Sequence, residues 1–185
     1  MIPLTIPLEE KELEKLRAGD VVSLSGVIYT ARDAAHKRLC AALKAGEPLP
    51  FDLEGAVIYY AGPCPQRPGQ VMNSCGPTTA GRMDQYAPLL YDNGQRAAIG
   101  KGKIGPDVVA AMKRNKAVYF VATGGAGALI SKSMTAAEIV AYEDLGAEAV
   151  RRVTVKDFPA IVGVDCTGAD IYEIGRSRWA EDAAE

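Results

Sequence analysis

The chain has 185 residues, of which 48% are hydrophobic and 24% charged, a composition typical of a soluble globular domain rather than of a disordered segment. Its formal net charge of -2 argues against a nucleic-acid-binding surface, which needs a concentrated basic face. No apolar run approaches the length of a membrane span, and the N-terminus turns acidic and amphipathic too soon for a signal peptide. We therefore expect a cytoplasmic protein that does not enter a membrane.

Helix and strand signals alternate through the N-terminal half of the chain. Apolar positions spaced among charges predict a short amphipathic helix over 8–17, and VVSLSGVIYT predicts a strand over 21–30. The alanine- and leucine-rich run 31–46 predicts a helix that stops at its terminal glycine. AVIYYAG, 56–62, predicts a second strand. The following GPCPQRPG, with three prolines and two glycines, excludes regular structure.

The C-terminal half continues the same alternation. Short apolar runs predict buried strands, and helices are expected between them or after glycine-rich turns. We predict strands at 97–100, 117–123, 137–142, 149–155 and 160–174, the last with a turn at Thr167–Gly168, and helices at 106–116 and within 123–133. The sequence thus predicts one α/β domain over 1–176 and a flexible or partner-dependent tail over 177–185.

The cysteines and the single histidine indicate no metal centre that this chain could build alone. No two cysteines are spaced as C-x-x-C, and His36 is the chain's one histidine. A self-sufficient zinc site and a disulfide framework are both disfavoured, and buried or inert thiols are expected. The four cysteines are Cys40, Cys64, Cys75 and Cys166.

The stretch SCGPTTAGRMD, 74–84, is the strongest indication of a site. Pro77 suits the first position of a helix, which would place Thr78 in the first turn. Arg82, four residues later, would then share the face of Thr78. We predict that this helix start presents a hydroxyl and a guanidinium to one anionic ligand.

Two glycine-rich turns also follow predicted strands. GKGKIG, 100–105, fits the dinucleotide pattern G-x-G-x-x-G, but the acidic residue expected after the next strand is missing, because 122–124 reads ATG. A lysine-bearing anion loop and a plain solvent-exposed turn remain as alternatives. TGGAGA, 123–128, is explained equally well by an anion site and by tight packing.

Arg32 begins a predicted helix directly after a strand end, with His36 one turn later. A surface ion pair for the arginine and a packing role for the histidine are the alternatives to a ligand site. Because strand-to-helix connections are where ligands bind in open α/β sheets, Arg32, Thr78, Arg82 and Lys101 could meet at one edge. Three cations and a hydroxyl would suit a small dianionic substrate.

SCGPTTAGRMD, TARDAAH, the KGK of the lysine loop and AYEDLGAEAVRRVTVKDFPAIVGVD together resemble the β subunit of class I, iron–sulfur-dependent fumarase, and of the related tartrate dehydratase. The resemblance extends from about Leu4 to Glu173. It implies a swivelling β/β/α domain with a mixed central sheet flanked by helices. It also implies a [4Fe-4S] cluster held by a partner α subunit, a small dicarboxylate substrate and a higher hetero-oligomer.

The same resemblance implies roles for individual residues. Thr78 corresponds to the family's catalytic base, and Arg32, Arg82 and Lys101 correspond to its substrate-carboxylate ligands. The family usually shows K-G-N at the lysine loop, where this chain has Lys101-Gly102-Lys103. Whether Lys101 or Lys103 faces the substrate therefore stays open.

Three other functions compete with a fumarate hydratase β subunit. The first is the β subunit of L-tartrate dehydratase, a hydro-lyase of the same architecture. The second is a non-catalytic dicarboxylate-binding module, which would bind malate or fumarate without a partner. The third is an NAD-binding fragment. The sequence disfavours it, because 122–124, at the end of the strand that follows GKGKIG, contains no acidic residue.

Overall fold

The computed structural model describes residues 1–180, which form short helices and strands in close alternation. The strands are β1 (Ile2–Thr5), β2 (Val21–Thr30), β3 (Val57–Tyr59), β4 (Ala97–Gly100), β5 (Val118–Val121), β6 (Met134–Ala141) and β7 (Val150–Val164). The α-helices are α1 (Glu10–Leu13), α2 (Asp33–Ala45), α3 (Ala87–Tyr91), α4 (Pro106–Arg114), α5 (Gly127–Ile130) and α6 (Ile171–Trp179). Short 3₁₀ helices cover Ala80–Met83, Ser131–Ser133 and Glu143–Glu148.

The strands form one mixed sheet that closes on itself. Their order is β1-β2-β3-β4-β5-β7-β6, and β2 also pairs with β7. Strands β1 to β5 run parallel, whereas β7 is antiparallel to β2, β5 and β6. The pairings β2–β3–β4–β5–β7–β2 therefore form a ring. The prediction of an α/β fold with a mixed central sheet and flanking helices is confirmed.

Side-chain alternation along the strands divides the core into two layers. Val57 and Tyr59 of β3 pack inside the closed sheet with residues of β2, β4, β5 and β7, whereas Ile58 points the other way. This second face packs against α2, α3 and α4, for example against Leu39 and Met112. Because successive side chains of a strand point to opposite faces, strands with both faces covered read as continuous apolar runs.

The signals that end and begin helices act as predicted at α2 and α4. Helix α2 ends at Gly46, which adopts a left-handed conformation with φ 68° that costs glycine little. Helix α4 begins with Pro106 in its first turn, where a missing N–H breaks no helical hydrogen bond. The helix predicted over 8–17 is shorter than expected, since α1 covers only Glu10–Leu13.

The prediction of strand at the end of 160–174 is wrong. The turn at Thr167–Gly168 is present, because the Asp165 carboxylate accepts hydrogen bonds from the backbone N–H groups of Thr167 and Ala169. After it, the Asp170 side chain accepts the N–H of Tyr172 and so caps α6, which begins at Ile171. This helix includes 177–179 of the predicted tail, and 181–185 lie outside the described residues.

Helix length also bears on the expectation about membranes. Among the helices of residues 1–180, none is long and apolar enough to cross a bilayer.

Candidate functional site

The parallel strands place four connections along one edge of the sheet. Strands β2 to β5 all run in the same direction, so their carboxyl ends lie together. Arg32 follows β2, Gly62 follows β3, Lys101 follows β4 and Gly124 follows β5. Ligands bind at the carboxyl ends of parallel strands in both open and closed α/β sheets.

The stretch SCGPTT crosses this edge in an extended conformation. Pro77 forms an antiparallel bridge with Ala61, and Thr79 forms a parallel bridge with Lys101. Between them, the Thr78 N–H donates to the Tyr60 carbonyl at 2.7 Å, and the Lys101 N–H donates to the Thr78 carbonyl at 3.1 Å. Thr78 is thereby fixed between the ends of β3 and β4.

The prediction that Thr78 lies in the first turn of a helix that begins at Pro77 is therefore wrong. Both backbone polar groups of Thr78 are used by its strand-like neighbours, so neither is available for helical hydrogen bonding. Thr79 is the extended cap residue, and the 3₁₀ helix covers only Ala80–Met83. The argument that Thr78 and Arg82 share a helical face does not hold, because only Arg82 belongs to that helix.

Arg82 nevertheless stays near the same edge. It is exposed on the 3₁₀ helix, whose first residue, Ala80, donates its N–H to the Lys101 carbonyl at 2.9 Å. Within the described residues no carboxylate forms an ion pair with Arg82. Its charge thus remains available to a ligand or a partner.

Arg32 is half-buried and already holds two carboxylates. Its Nη2 lies 3.2 Å from Glu148 Oε1 and 3.5 Å from Asp33 Oδ1. Sequence reasoning missed Glu148. This residue also accepts the N–H of Ala34, which lies 114 residues earlier in the chain, and no local pattern links such distant positions. Arg32 is thus an ion-pair residue, as the alternative predicted. Because the ion pair lies beside the sheet edge, it does not exclude a ligand role for Arg32.

The two lysines of GKGKIG lie in different environments. Lys103 forms an ion pair with Glu173 of α6. Among residues 1–180, Lys101 has no such partner, and its side chain runs over Gly124, where an added Cβ would lie 2.9 Å from Lys101 Cδ. Lys101 is thus the lysine that stays at the sheet edge with its charge unpaired.

In the hydro-lyase that the sequence resemblance implies, Lys101→Ala should lower kcat/KM about ten- to a hundredfold, the usual value of a charge-assisted hydrogen bond to a ligand. Lys103→Ala is the matched control. It should change kcat/KM less than threefold or so, because an exposed ion pair contributes little. Steady-state kinetics of both variants checks the assignment, and a larger loss in Lys103→Ala would reverse it.

The glycine-rich turn 123–128 is explained by close packing. A Cβ on Gly127 would lie 2.7 Å from the Gly76 nitrogen and 2.7 Å from Ser74 Oγ. The Cys75 N–H also donates to the Gly127 carbonyl at 3.2 Å. Only glycine allows the two segments to touch here. Helix α5, four residues long, is too short to serve as an anion site of its own.

His36 is a packing residue of the helix-side core. It is fully buried, its Nδ1 lies 2.9 Å from the Arg32 carbonyl, and its ring packs edge-on against Tyr60. Burial lowers the pKa of His36 to about 4, so its imidazole is neutral at pH 7. This environment favours the packing role over a ligand role.

Asp84, the last residue of SCGPTTAGRMD, is a second group that sequence reasoning did not single out. Burial raises the pKa of its carboxyl, and the backbone N–H of Gly105 opposes that shift. Its Oδ2 fills the space beside Gly105, where an added Cβ would lie 2.8 Å away. Asp84 therefore ties the 3₁₀ helix of Arg82 to the end of the lysine loop.

The cysteines do not form a ligand set for an iron–sulfur cluster, which needs several converging thiolates. Cys64 is exposed on the irregular 62–69 segment, and the other three are buried. Burial raises the pKa of the Cys75 thiol to about 12, which keeps it protonated. Across residues 1–180, no three His, Cys, Asp or Glu side chains are arranged to hold a metal ion.

Similar proteins give this geometry a family context. A family model described as Fumarase C-terminus matches residues 1–175. The chain is 37% identical over 175 residues to Fumarate hydratase 2 of Leishmania major, covering 92% of this chain and 31% of that protein. It is 36% identical over 176 residues to Fumarate hydratase class I, anaerobic, of Escherichia coli strain K12, covering 93% and 32%.

A third relative has nearly the same extent as this chain. The Putative L(+)-tartrate dehydratase subunit beta of Methanocaldococcus jannaschii is 39% identical over 172 residues, covering 90% of this chain and 88% of that protein. By contrast, the chain spans about a third of the length of the fumarate hydratases that it matches. Since the family model covers nearly all of the sequence, the chain belongs to the fumarase C-terminus family, whose relatives here are hydro-lyases by name.

Proposed function

We propose that the chain is the β subunit of a two-subunit hydro-lyase that interconverts fumarate and L-malate by reversible addition of water. One observation carries this proposal. Arg32, Lys101 and Thr78 lie on successive strand ends of one sheet edge, with Arg82 on the segment that follows Thr78. A small dianion is the ligand that such a group of cations favours.

The three cations are proposed to bind the substrate carboxylates. Arg82 offers a planar guanidinium group that can bind a carboxylate through two parallel hydrogen bonds, whereas Arg32, whose Nη2 already pairs with Glu148, offers a single nitrogen. Lys101 adds a point charge on a long stem. Arg82 and Lys101 are exposed, so the substrate would be enclosed only when a partner covers this edge. Closure by a swivelling motion of the domain would exclude water and strengthen each charge contact.

Thr78 is proposed as the base. In the dehydration direction its oxygen would take a proton from the substrate carbon beside a carboxylate, and the electron pair left behind would form the double bond as hydroxide departs. Within residues 1–180 the Thr78 hydroxyl has no hydrogen-bond partner, which leaves it available to substrate. A free hydroxyl is hardly ionised at pH 7, so nearby cations such as Lys101 must stabilise the alkoxide.

We propose that the [4Fe-4S] cluster belongs to the partner α subunit, because the cysteines of residues 1–180 do not converge on one site. The relative named as a subunit beta supports a separate partner, since this chain covers 88% of that protein. A cluster-bearing α subunit would supply the rest, in a higher hetero-oligomer. We also propose that this complex is cytoplasmic, as the sequence indicates.

L-tartrate dehydratase is the second candidate function. It is favoured by the relative of matching extent, a putative tartrate dehydratase β subunit that is 39% identical over 172 residues. Both substrates are C4 dicarboxylates, and a few contacts can decide between them. A non-catalytic dicarboxylate-binding module remains the candidate outside enzymes.

One experiment separates these functions. The complex co-purified with its partner, handled anaerobically, is assayed with fumarate, L-malate and L-tartrate. Turnover of fumarate and malate with little of tartrate is the expected result. Preferential loss of water from tartrate would make the chain a tartrate dehydratase subunit. Dicarboxylate binding by the purified chain alone, without turnover in any complex, would make it a binding module.

A further inference from the structure

Glu148 uses its two carboxylate oxygens on two different partners. Oε1 lies 3.2 Å from Arg32 Nη2, and Oε2 accepts the N–H of Ala34 at 3.1 Å. Ala34 lies in the first turn of α2, where N–H groups have no partner within the helix. One side chain thus caps the helix and holds the arginine that precedes it.

The segment that carries Glu148 is itself fixed in place. We define the 143–148 segment as the 3₁₀ helix Glu143–Glu148. Its Asp144 receives two hydrogen bonds from Arg38 of α2, at 2.9 and 2.5 Å. At its other end, Arg151 donates to the carbonyls of Gly146, Ala147 and Ala149. Both ends are therefore tied to neighbouring elements.

Gly62 permits the close approach of this segment to Arg32. A Cβ at position 62 would lie 2.9 Å from the Ala147 carbonyl oxygen and 3.2 Å from Arg32 Cδ. The arginine stem is thus confined between the end of β3 and the 143–148 segment. Its Nε is buried without a hydrogen-bond partner among the described residues.

These contacts restrict the way in which Arg32 can meet a ligand. Nη2 is engaged by Asp33 and Glu148, and Nε is enclosed. Among the hydrogen bonds of residues 1–180, none involves Nη1, and Nη1 is not among the buried atoms that lack a partner. Nη1 is therefore the guanidinium nitrogen left for a substrate carboxylate, while the other two are fixed by the protein.

We propose that Glu148 is a positioning residue that fixes the guanidinium of Arg32 for the substrate carboxylate, an inference that rests on the proposed dicarboxylate site. Glu148 does not touch substrate. It acts through Arg32, and the capped start of α2 keeps both residues in register. The end of β2 places Arg32 at the sheet edge, and Glu148 of the 143–148 segment orients its guanidinium group.

Glu148→Gln is the variant that separates the two contacts. The glutamine amide oxygen can still accept the Ala34 N–H, so the helix cap and the fold are retained. The amide carries no negative charge, so the ion pair with Arg32 is lost. Asp144→Asn is the matched control, because it weakens the same segment through Arg38 without touching Arg32.

The test measures kinetics and dicarboxylate binding in the complex with its partner, in both the wild-type and the Arg32→Lys background. We expect Glu148→Gln to raise KM and the calorimetric Kd for malate about tenfold, with kcat changed less than threefold or so. The effect should shrink below about twofold in the Arg32→Lys background, because residues that act as a unit are not additive. Asp144→Asn should leave KM within about twofold.

Three results would overturn the inference: an unchanged KM and Kd in Glu148→Gln, an equal loss with Arg32→Lys present, or an equal loss in Asp144→Asn. A wild-type complex that binds malate but does not turn it over would instead refute the hydro-lyase, while the binding comparison would still decide the role of Glu148. A wild-type complex that binds no dicarboxylate would refute both.

Discussion

Thr78→Ala should abolish turnover in the proposed two-subunit enzyme while substrate affinity stays within a few fold of wild type. A positioned base contributes about 10²- to 10⁴-fold to the rate, and its effect falls mainly on the transition state. The variant should fold normally, because Thr78 is held by its backbone N–H and carbonyl, which alanine retains. Single-turnover kinetics and a binding titration with malate measure the two effects separately.

Thr79→Ala is the matched control for this prediction. Thr79 adjoins Thr78 but is exposed, and its side chain accepts no capping hydrogen bond from the 3₁₀ helix. In an extended stretch, consecutive side chains point to opposite sides, so the hydroxyls of Thr78 and Thr79 face different surroundings. A greater loss in Thr79→Ala would show that the neighbouring hydroxyl is the base. Full activity of Thr78→Ala would exclude Thr78 from the chemistry.

The purified chain alone should be folded and colourless, with no detectable hydration of fumarate. The strands and helices bury two continuous cores, so the fold does not depend on a partner for its interior. The side chains at the sheet edge are proposed to bind carboxylates, but the cysteines of residues 1–180 do not converge on a cluster. Addition of the proposed cluster-bearing partner should raise activity from none to full turnover.

Anaerobic reconstitution with iron and sulfide checks this expectation. Circular dichroism before reconstitution confirms folding, the visible absorption of the chain afterwards reports any cluster, and an assay with fumarate reports turnover. A Cys64→Ser variant is a useful control, since Cys64 is the exposed cysteine and therefore the one most accessible to adventitious iron. A stable brown chain that hydrates fumarate without a partner would refute the two-subunit proposal.

The sequence by itself determined those features whose signals act within a few residues. The ten-residue strand β2, the end of α2 at Gly46 and the start of α4 at Pro106 follow from apolar runs and from residues suited to helix ends. The placement of Arg32 and Lys101 just after strand ends follows from the same local patterns. Their meeting at one edge needed only the further expectation that the strands run parallel.

Local signals alone were not sufficient after the turn at Thr167–Gly168. The segment after Thr167–Gly168 has apolar residues that suit a strand, yet the Asp170 side chain caps a helix there. Apolar periodicity over four or five residues does not distinguish the two structures, and a single capping hydrogen bond decides between them.

Only the tertiary structure decided the conformation of Pro77–Thr79 and the orientation of Arg32. GPTT suits a helix start when it is considered alone, but the carbonyl of Tyr60 and the N–H of Lys101 each bond to Thr78 and hold it extended. Glu148 reaches Arg32 because the long strand β7 pairs with β2 and brings the 143–148 segment beside α2. These hydrogen bonds and ion pairs join residues that are distant along the chain. The residues come into contact only when the strands of the sheet have paired, so local sequence patterns do not predict the contacts.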